Sequence, residues 1–161
     1  MSPELDPDRL GDHLDRLFRA AWALCGRRED AEDLVQETYV RVLAKPRMLR
    51  NDDDLGYLLR VLRNTFLTQR RDAGRRIAAV AMPEDPGIIE DPGAVDPEAA
   101  LAAREVYAAV SALPEDYRDA VVAVDVAGLS YREAAKLLRT KEGTIMSRLY
   151  RGRQRVIQAV S

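Results

Sequence analysis

From residue 77 to residue 98 the chain carries no lysine or arginine. Instead it has Pro83, Pro86, Gly87, Pro92, Gly93 and Pro97 and the acids Glu84, Asp85, Glu90, Asp91, Asp96 and Glu98. Proline removes a backbone donor, and both residues punctuate regular structure, so this stretch reads as a linker. It divides the chain into an N-terminal part, residues 1–76, and a C-terminal part, residues 99–161. On either side the apolar residues recur at helical spacing. The expected class is therefore all-α: two small helical domains joined by an acidic Pro/Gly linker.

The C-terminal part ends in a helix-turn-helix pattern. Ser130 and Glu133 have capping-box spacing, which starts a helix at Tyr131 with Tyr131, Ala134, Ala135 and Leu138 on one buried stripe. After a break at residues 139–141, Ile145, Leu149 and Val156 mark a second helix, with Gly152 where helices can approach closely. Its opposite face carries Ser147, Tyr150, Arg151 and Gln154, donors and an aromatic of the kind that read base edges and grip phosphates in a major groove. From residue 129 onward eight cations stand against Glu133 and Glu142, although the whole chain has a net charge of −2. Periodicity alone fits a plain helical hairpin with a solvated basic face equally well; the segregated charge favours nucleic acid. Upstream, a helix is expected from Pro97 or Glu98 to about Leu113, and another from Pro114 through Ala127, stopped by Gly128. Val121 to Val124 reads as strand by composition, but Tyr117, Val121, Val124 and Ala127 keep the helical period.

In the N-terminal part, Leu10, Leu14, Leu17, Phe18, Ala21 and Trp22 predict a helix over residues 8–25 that Gly26 ends. The next helix, acidic in its first turn as the helix dipole prefers, turns Ala31, Leu34, Val35, Thr38 and Val42 inward. Asp33, Gln36, Glu37 and Val40 then form a separate strip, open to a partner. Lys45 and Pro46 close that helix, and Asp52, Asp53 and Asp54 supply the next N-cap. A third helix, residues 55–76, buries Leu55, Leu58, Leu59, Leu62 and Phe66. Its other side presents Arg60, Arg63, Asn64, Thr68, Arg70, Arg71, Arg75 and Arg76. Two separated basic surfaces suggest two contacts on one nucleic acid.

The totals exclude several classes. With 32% charged and 47% hydrophobic residues the chain suits a soluble helical protein rather than a disordered one. Cys25 and His13 are each the only residue of their type, so one chain can assemble neither a disulfide framework nor a Cys/His zinc site. His13 has no nucleophile motif beside it, and no cofactor is expected. No apolar run approaches the roughly 18 residues of a membrane span, and there is no signal-peptide core, so a cytoplasmic protein is expected.

Taken together, these residues resemble bacterial RNA polymerase sigma factors of the extracytoplasmic-function type. The likeness rests on Asp-Ala-Glu-Asp-Leu-Val-Gln-Glu-Thr-Tyr at 30–39 and Leu-Pro-Glu-Asp-Tyr-Arg at 113–118. It continues in Gly-Leu-Ser-Tyr-Arg-Glu-Ala-Ala at 128–135, Gly-Thr-Ile at 143–145 and Ser-Arg-Leu at 147–149. In this order, on both sides of an acidic linker, the motifs are highly specific. The resemblance implies a promoter-specificity subunit without catalytic residues, whose partners are core RNA polymerase, promoter DNA and a separate anti-sigma factor. It implies polymerase binding by Asp33, Gln36 and Glu37. It assigns melting and reading of the minus-ten element to Tyr57, Arg60, Arg63, Asn64 and Thr68, with Asn64 lining a pocket for a flipped base. Met146, Ser147, Arg148, Tyr150 and Arg151 would serve the minus-thirty-five element, Arg148 beside phosphates or in an internal ion pair, and Arg153 beside phosphates. The linker would thread toward the RNA exit channel. With nothing after Ser161, regulation is expected from a separate protein. Tyr57 stands where the family often has tryptophan, Met146 where it often has a cation, and residues 139–142 replace its usual turn, which puts the promoter preference in doubt. Two alternatives are a free-standing helix-turn-helix regulator, which leaves the acidic helix and linker without a purpose, and a carboxylate-metal nuclease on Asp30, Asp33 and Asp52 to Asp54, whose acids sit in caps and solvated faces.

Overall fold

The structure, a computed structural model, describes residues 13–44, 54–77 and 96–161, with residues 74–77 given by their backbone. Leu10, the Lys45-Pro46 stop, the Asp52 and Asp53 cap and most of the linker lie outside the described residues. Seven α-helices follow in order among the described residues: α1 (Leu14–Cys25), α2 (Arg28–Ala44), α3 (Asp54–Ile77), α4 (Pro97–Ser111), α5 (Glu115–Val121), α6 (Tyr131–Leu138) and α7 (Glu142–Val160). There is no strand among the described residues.

Local chemistry accounts for most of the boundaries. Gly26 takes the left-handed conformation at φ 78° and returns its N–H to the Trp22 carbonyl at 2.7 Å, ending α1. Asp96 caps α4 by accepting from the Glu98 N–H at 3.0 Å, with Pro97 in the first turn where no backbone donor is needed. The capping box of α6 forms in full: the Ser130 N–H donates to Glu133 Oε1 at 3.0 Å, and the Glu133 N–H donates to Ser130 Oγ at 3.1 Å. Arg139, at φ 55°, supplies the left-handed residue that ends α6, a role glycine fills at less strain.

One expected helix changes form partway. After α5 the chain continues through residues 122–126 as a π-helical turn, in which the Ala127 N–H reaches back five residues to the Val122 carbonyl at 2.9 Å. Valines at 121, 122, 124 and 126 crowd a regular α turn, and the wider turn relieves them. Gly128, at φ 82°, then reverses the chain into α6.

The inward residues of α2 are those its spacing predicts, Ala31, Leu34, Val35, Thr38 and Val42, all buried. Buried Thr38 and Thr65 satisfy their hydroxyls by donating to the carbonyls of Leu34 and Val61, each at 2.7 Å. Four expected core residues sit at the rim of the core instead. Leu14 and Tyr131 are 44% and 39% exposed, each being the first residue of its helix, and Leu55, in the first turn of α3, and Leu138, the last residue of α6, are only partly buried.

Helices α1 to α3 pack on one another, and α4 to α7 do likewise, but the two halves also meet. Helix α1 lies against α4 and the π turn, and α3 touches α6. Trp22 packs on Tyr107 with ring centroids 4.7 Å apart, and a Cβ at Gly26 would run into the Ser111 side chain. Buried residues of both halves belong to one continuous apolar cluster, Leu58, Leu59 and Leu62 with Ala120, Val122 and Ala123 among them. Area of this kind contributes roughly 25 cal/mol per Å² removed from water, so the halves stabilise one another.

Candidate nucleic-acid interface

Helix α7 has a clear inner and outer side. Ile145, Leu149 and Gly152 are buried, and Val156, partly buried, continues their row. At about 100° per residue, Ser147 and Gln154 point away from that row, flanked by Tyr150 on one side and Arg151 on the other. Ser147, Tyr150 and Arg151 are all exposed, Tyr150 by 67%, and Met146 is 54% exposed. Helix α6 presents Arg132, and the turn presents Arg139 and Lys141, all exposed. This is an open face of donors and positive charge, as the sequence predicts.

The cations along the edges of that face are held by acids and an aromatic from α5 and the π turn. Arg153 makes a bidentate pair with Asp125 at 2.7 and 2.8 Å, and its pKa is pushed up, first by that hydrogen bond. That pairing, formed by Nε and Nη2, engages the residue expected beside phosphates, while its side chain stays 45% exposed. Arg148 lies 3.8 Å from Asp116, the internal ion pair that was the other expectation for it. Arg151 Nη1 donates to Tyr117 Oη at 3.5 Å, and Arg155 lies over the Tyr117 ring, 5.1 Å from its centroid. The Arg151 hydrogen bond lowers the Tyr117 pKa below its ordinary 10.0.

The second face is on α3. Tyr57, Arg60, Asn64 and Thr68 fall within about 80° of one another around the helix axis. Asn64 and Thr68 are exposed, Tyr57 and Arg60 partly so. Thr68 donates its hydroxyl to the Asn64 carbonyl at 3.0 Å. Arg63 projects from the side of this face toward α5: its Nε donates to Asp119 Oδ2 at 2.9 Å, and Nη2 is 3.6 Å from Glu115. The basic residues Arg75 and Arg76 lie where the structure gives no side chains.

Asp119, itself almost without solvent, sits at the centre of a charged group. It is 5% exposed and Arg118 2%; Arg118 Nε donates to Asp119 Oδ1 at 3.1 Å, and its guanidinium lies over Phe66 at 4.9 Å. A buried charge pair is tolerated only when its geometry is good, and here one carboxylate serves two guanidiniums from different halves of the chain. Sequence reasoning missed Asp116, Asp119 and Asp125 as partners of the basic residues. Arg63 and Asp119 are 56 positions apart, and no local spacing rule links them.

The outer strip of α2 differs in kind. Asp33 and Gln36 are exposed, and Glu37 is partly buried and accepts from Arg41 Nε at 3.2 Å. Beside them Val40 is 62% and Leu43 52% exposed. Acids mixed with exposed apolar residues repel a phosphate backbone and suit a protein partner.

Comparison with known proteins covers both halves. Residues 10–76 match the family Sigma-70 region 2, and residues 103–156 match Sigma-70, region 4. The chain is 40% identical over 148 residues to ECF RNA polymerase sigma factor SigE of Mycolicibacterium smegmatis, covering 89% of this chain and 57% of that one. It therefore spans little more than half the length of that relative. ECF RNA polymerase sigma factor EcfG of Rhodopseudomonas palustris is 34% identical over 137 residues, covering 84% of this chain and 74% of that protein. Among solved structures, the sigma factor RpoE of Bartonella quintana, determined in complex with the anti-sigma factor NepR, superposes with a TM-score of 0.72 at 29% identity, covering 94% of each chain. CnrH, determined with the cytosolic domain of CnrY, shares the fold, with a TM-score of 0.63 at 21% identity over 94% of this chain and 84% of that one.

Proposed function

Because this chain belongs to the extracytoplasmic-function family of RNA polymerase sigma factors, we propose that it binds core RNA polymerase and directs initiation at promoters carrying two separated elements. The observation that carries this reading is the division of surfaces within one chain. Helices α3 and α7 each present a basic, donor-rich face, while α2 presents carboxylates beside exposed Val40 and Leu43. A free-standing regulator needs only the α7 face.

In this reading Asp33, Gln36 and Glu37 contact the polymerase. Tyr57, Arg60, Asn64 and Thr68 read the minus-ten element after strand separation, with a flipped base held beside Asn64. Arg63 joins them once its pair with Asp119 separates. Ser147, Tyr150 and Arg151 read the minus-thirty-five element in the major groove, with Met146 at the edge of that contact and Arg148 anchored to Asp116. The chain contributes no catalytic residue and works in the cytoplasm; no helix among the described residues is long and apolar enough to cross a membrane. A separate anti-sigma factor completes the partner set, a reading supported by the solved RpoE relative, which has NepR bound.

Run-off transcription with purified core polymerase, with and without this protein, tests the proposal. Transcripts from specific start sites should appear only with the protein. Specific DNA binding by the protein alone, with no transcript when polymerase is added, would favour the regulator instead.

A further inference from the structure

Three observations converge on Tyr117, to which nothing so far gives a function. Helix α7 comes down on α5 at Gly152: a Cβ there would lie 2.8 Å from Val121 Cγ2, 3.3 Å from the Tyr117 carbonyl oxygen and 3.4 Å from Tyr117 Cβ. That close approach places the Tyr117 side chain against the flank of α7 between Arg151 and Arg155, one helical turn apart. Arg151 donates to its hydroxyl at 3.5 Å, and Arg155 lies over its ring at 5.1 Å. The preceding residue, Asp116, takes Arg148. Two adjacent residues of α5 thus engage three cations that share one side of α7.

The two residues hold their cations differently. A carboxylate cancels the charge it pairs with, as Asp125 does for Arg153. A neutral phenol orients a guanidinium through its oxygen lone pairs and its ring face while leaving the positive charge for DNA. A guanidinium has five N–H donors, and the one given to Tyr117 leaves the opposite edge open. That edge is the fork that fits O6 and N7 of guanine. An arginine already tethered has less rotamer freedom to lose when it meets the base.

We propose that Tyr117 is a positioning residue for the recognition helix, which aims Arg151 at one base pair of the upstream element, with guanine the preferred base there, and keeps Arg155 directed toward a phosphate. This rests on the reading that α7 enters the major groove. Tyr117 touches no base itself; it acts through the two arginines.

The test uses holoenzyme assembled from core polymerase with the wild-type chain, Arg151→Ala, Tyr117→Phe or Tyr117→Leu. Each captures duplexes from a pool randomised across the upstream element, sequenced before and after capture, followed by a salt titration on the best-bound duplex. Arg151→Ala should erase a guanine preference at a single position. Tyr117→Phe, which keeps the ring and its packing, should weaken that same preference by about fivefold or more, with the thermal midpoint and salt slope of the wild type. Tyr117→Leu should do the same and also lower the salt slope by up to about one unit, because Arg155 loses its platform. Combining Tyr117→Phe with Arg151→Ala should add nothing to Arg151→Ala. If Arg151→Ala changes no preference, α7 is not in the groove, and the underlying reading falls with the proposal. If Arg151→Ala relaxes one position but both Tyr117 variants select like wild type, or relax all positions alike, Tyr117 is not the positioning residue.

Discussion

Asp119→Ala should weaken the protein far more than Arg63→Ala, although the two side chains form an ion pair between the halves at 2.9 Å. The Asp119 side chain is 4% exposed and that of its second partner, Arg118, 3%, whereas Arg63 is 30% exposed. Removing the carboxylate returns Arg63 to water at little expense, about 0.5 kcal/mol for an exposed pair. It leaves Arg118 enclosed, its guanidinium over the Phe66 ring, with Nη2 already lacking a hydrogen-bond partner. Truncating one partner of a buried pair costs roughly 3–5 kcal/mol, so about 3 kcal/mol is expected for Asp119→Ala and under about 1 kcal/mol for Arg63→Ala. With an m-value near 2 kcal/mol/M, the urea midpoint for Asp119→Ala should fall by about 1.5 M. Two probes make the assay specific. Far-ultraviolet circular dichroism follows the helices, and Trp22, the only tryptophan, reports from its contact with Tyr107 across the two halves. In the variant, the Trp22 transition should precede the loss of helix, a departure from two-state unfolding caused by early separation of the halves. Replacing both charges with apolar residues, Arg118→Met with Asp119→Leu, should recover most of the lost stability, because no buried charge is then left alone. The reasoning is refuted if Asp119→Ala costs under 0.5 kcal/mol or if Arg63→Ala costs as much as Asp119→Ala.

Gly152→Ala should destabilise by about 1–3 kcal/mol, measured by thermal melting, because its methyl would lie 2.8 Å from a valine that cannot swing aside; a neutral result would mean that α5 and α7 do not pack this closely. Ser130→Ala should cost about 1 kcal/mol through loss of the α6 cap. Hydrogen bonds from Ser130, its backbone N–H first, hold the Glu133 carboxyl below its ordinary 4.5, so the carboxylate's part of the box is complete at neutral pH and is lost as pH falls below the usual carboxylate range; Ser130→Ala keeps that N–H, so the acid dependence should persist in it and disappear in Glu133→Gln. Burial raises the Cys25 thiol to about 12, so iodoacetamide should label it slowly at pH 8 until denaturant is added. The sign is set by the neutral form: stability is unaffected below the ordinary 9.0 and falls as pH rises from there toward about 12. Gln36→Ala with Glu37→Lys should abolish co-elution with core polymerase while leaving stability within about 0.5 kcal/mol, since neither side chain is in the core; co-elution at wild-type yield would remove α2 from the polymerase contact.

What the chain's own order of residues determined is local in range. Helix spacing, the Ser130–Glu133 cap, the stops at Gly26 and Gly128 and the inward stripe of α2 depend on neighbours within about four positions, where backbone geometry leaves few choices. The exposed set of Ser147, Tyr150 and Arg151 was legible for the same reason: once Ile145 and Leu149 turn inward, the opposite side of the helix is settled. Tertiary structure alone decided which cations stay open to a partner. Arg63 and Arg60 look alike in the sequence, yet Asp119 takes the first, and Arg153 is claimed by Asp125 from 28 positions away. The π turn is of this kind too, since a crowded valine run disfavours a regular helix without saying how the chain relieves it. Charge pairing depends on distances of a few ångströms between residues far apart in the chain, and those distances exist only after the apolar faces have found one another.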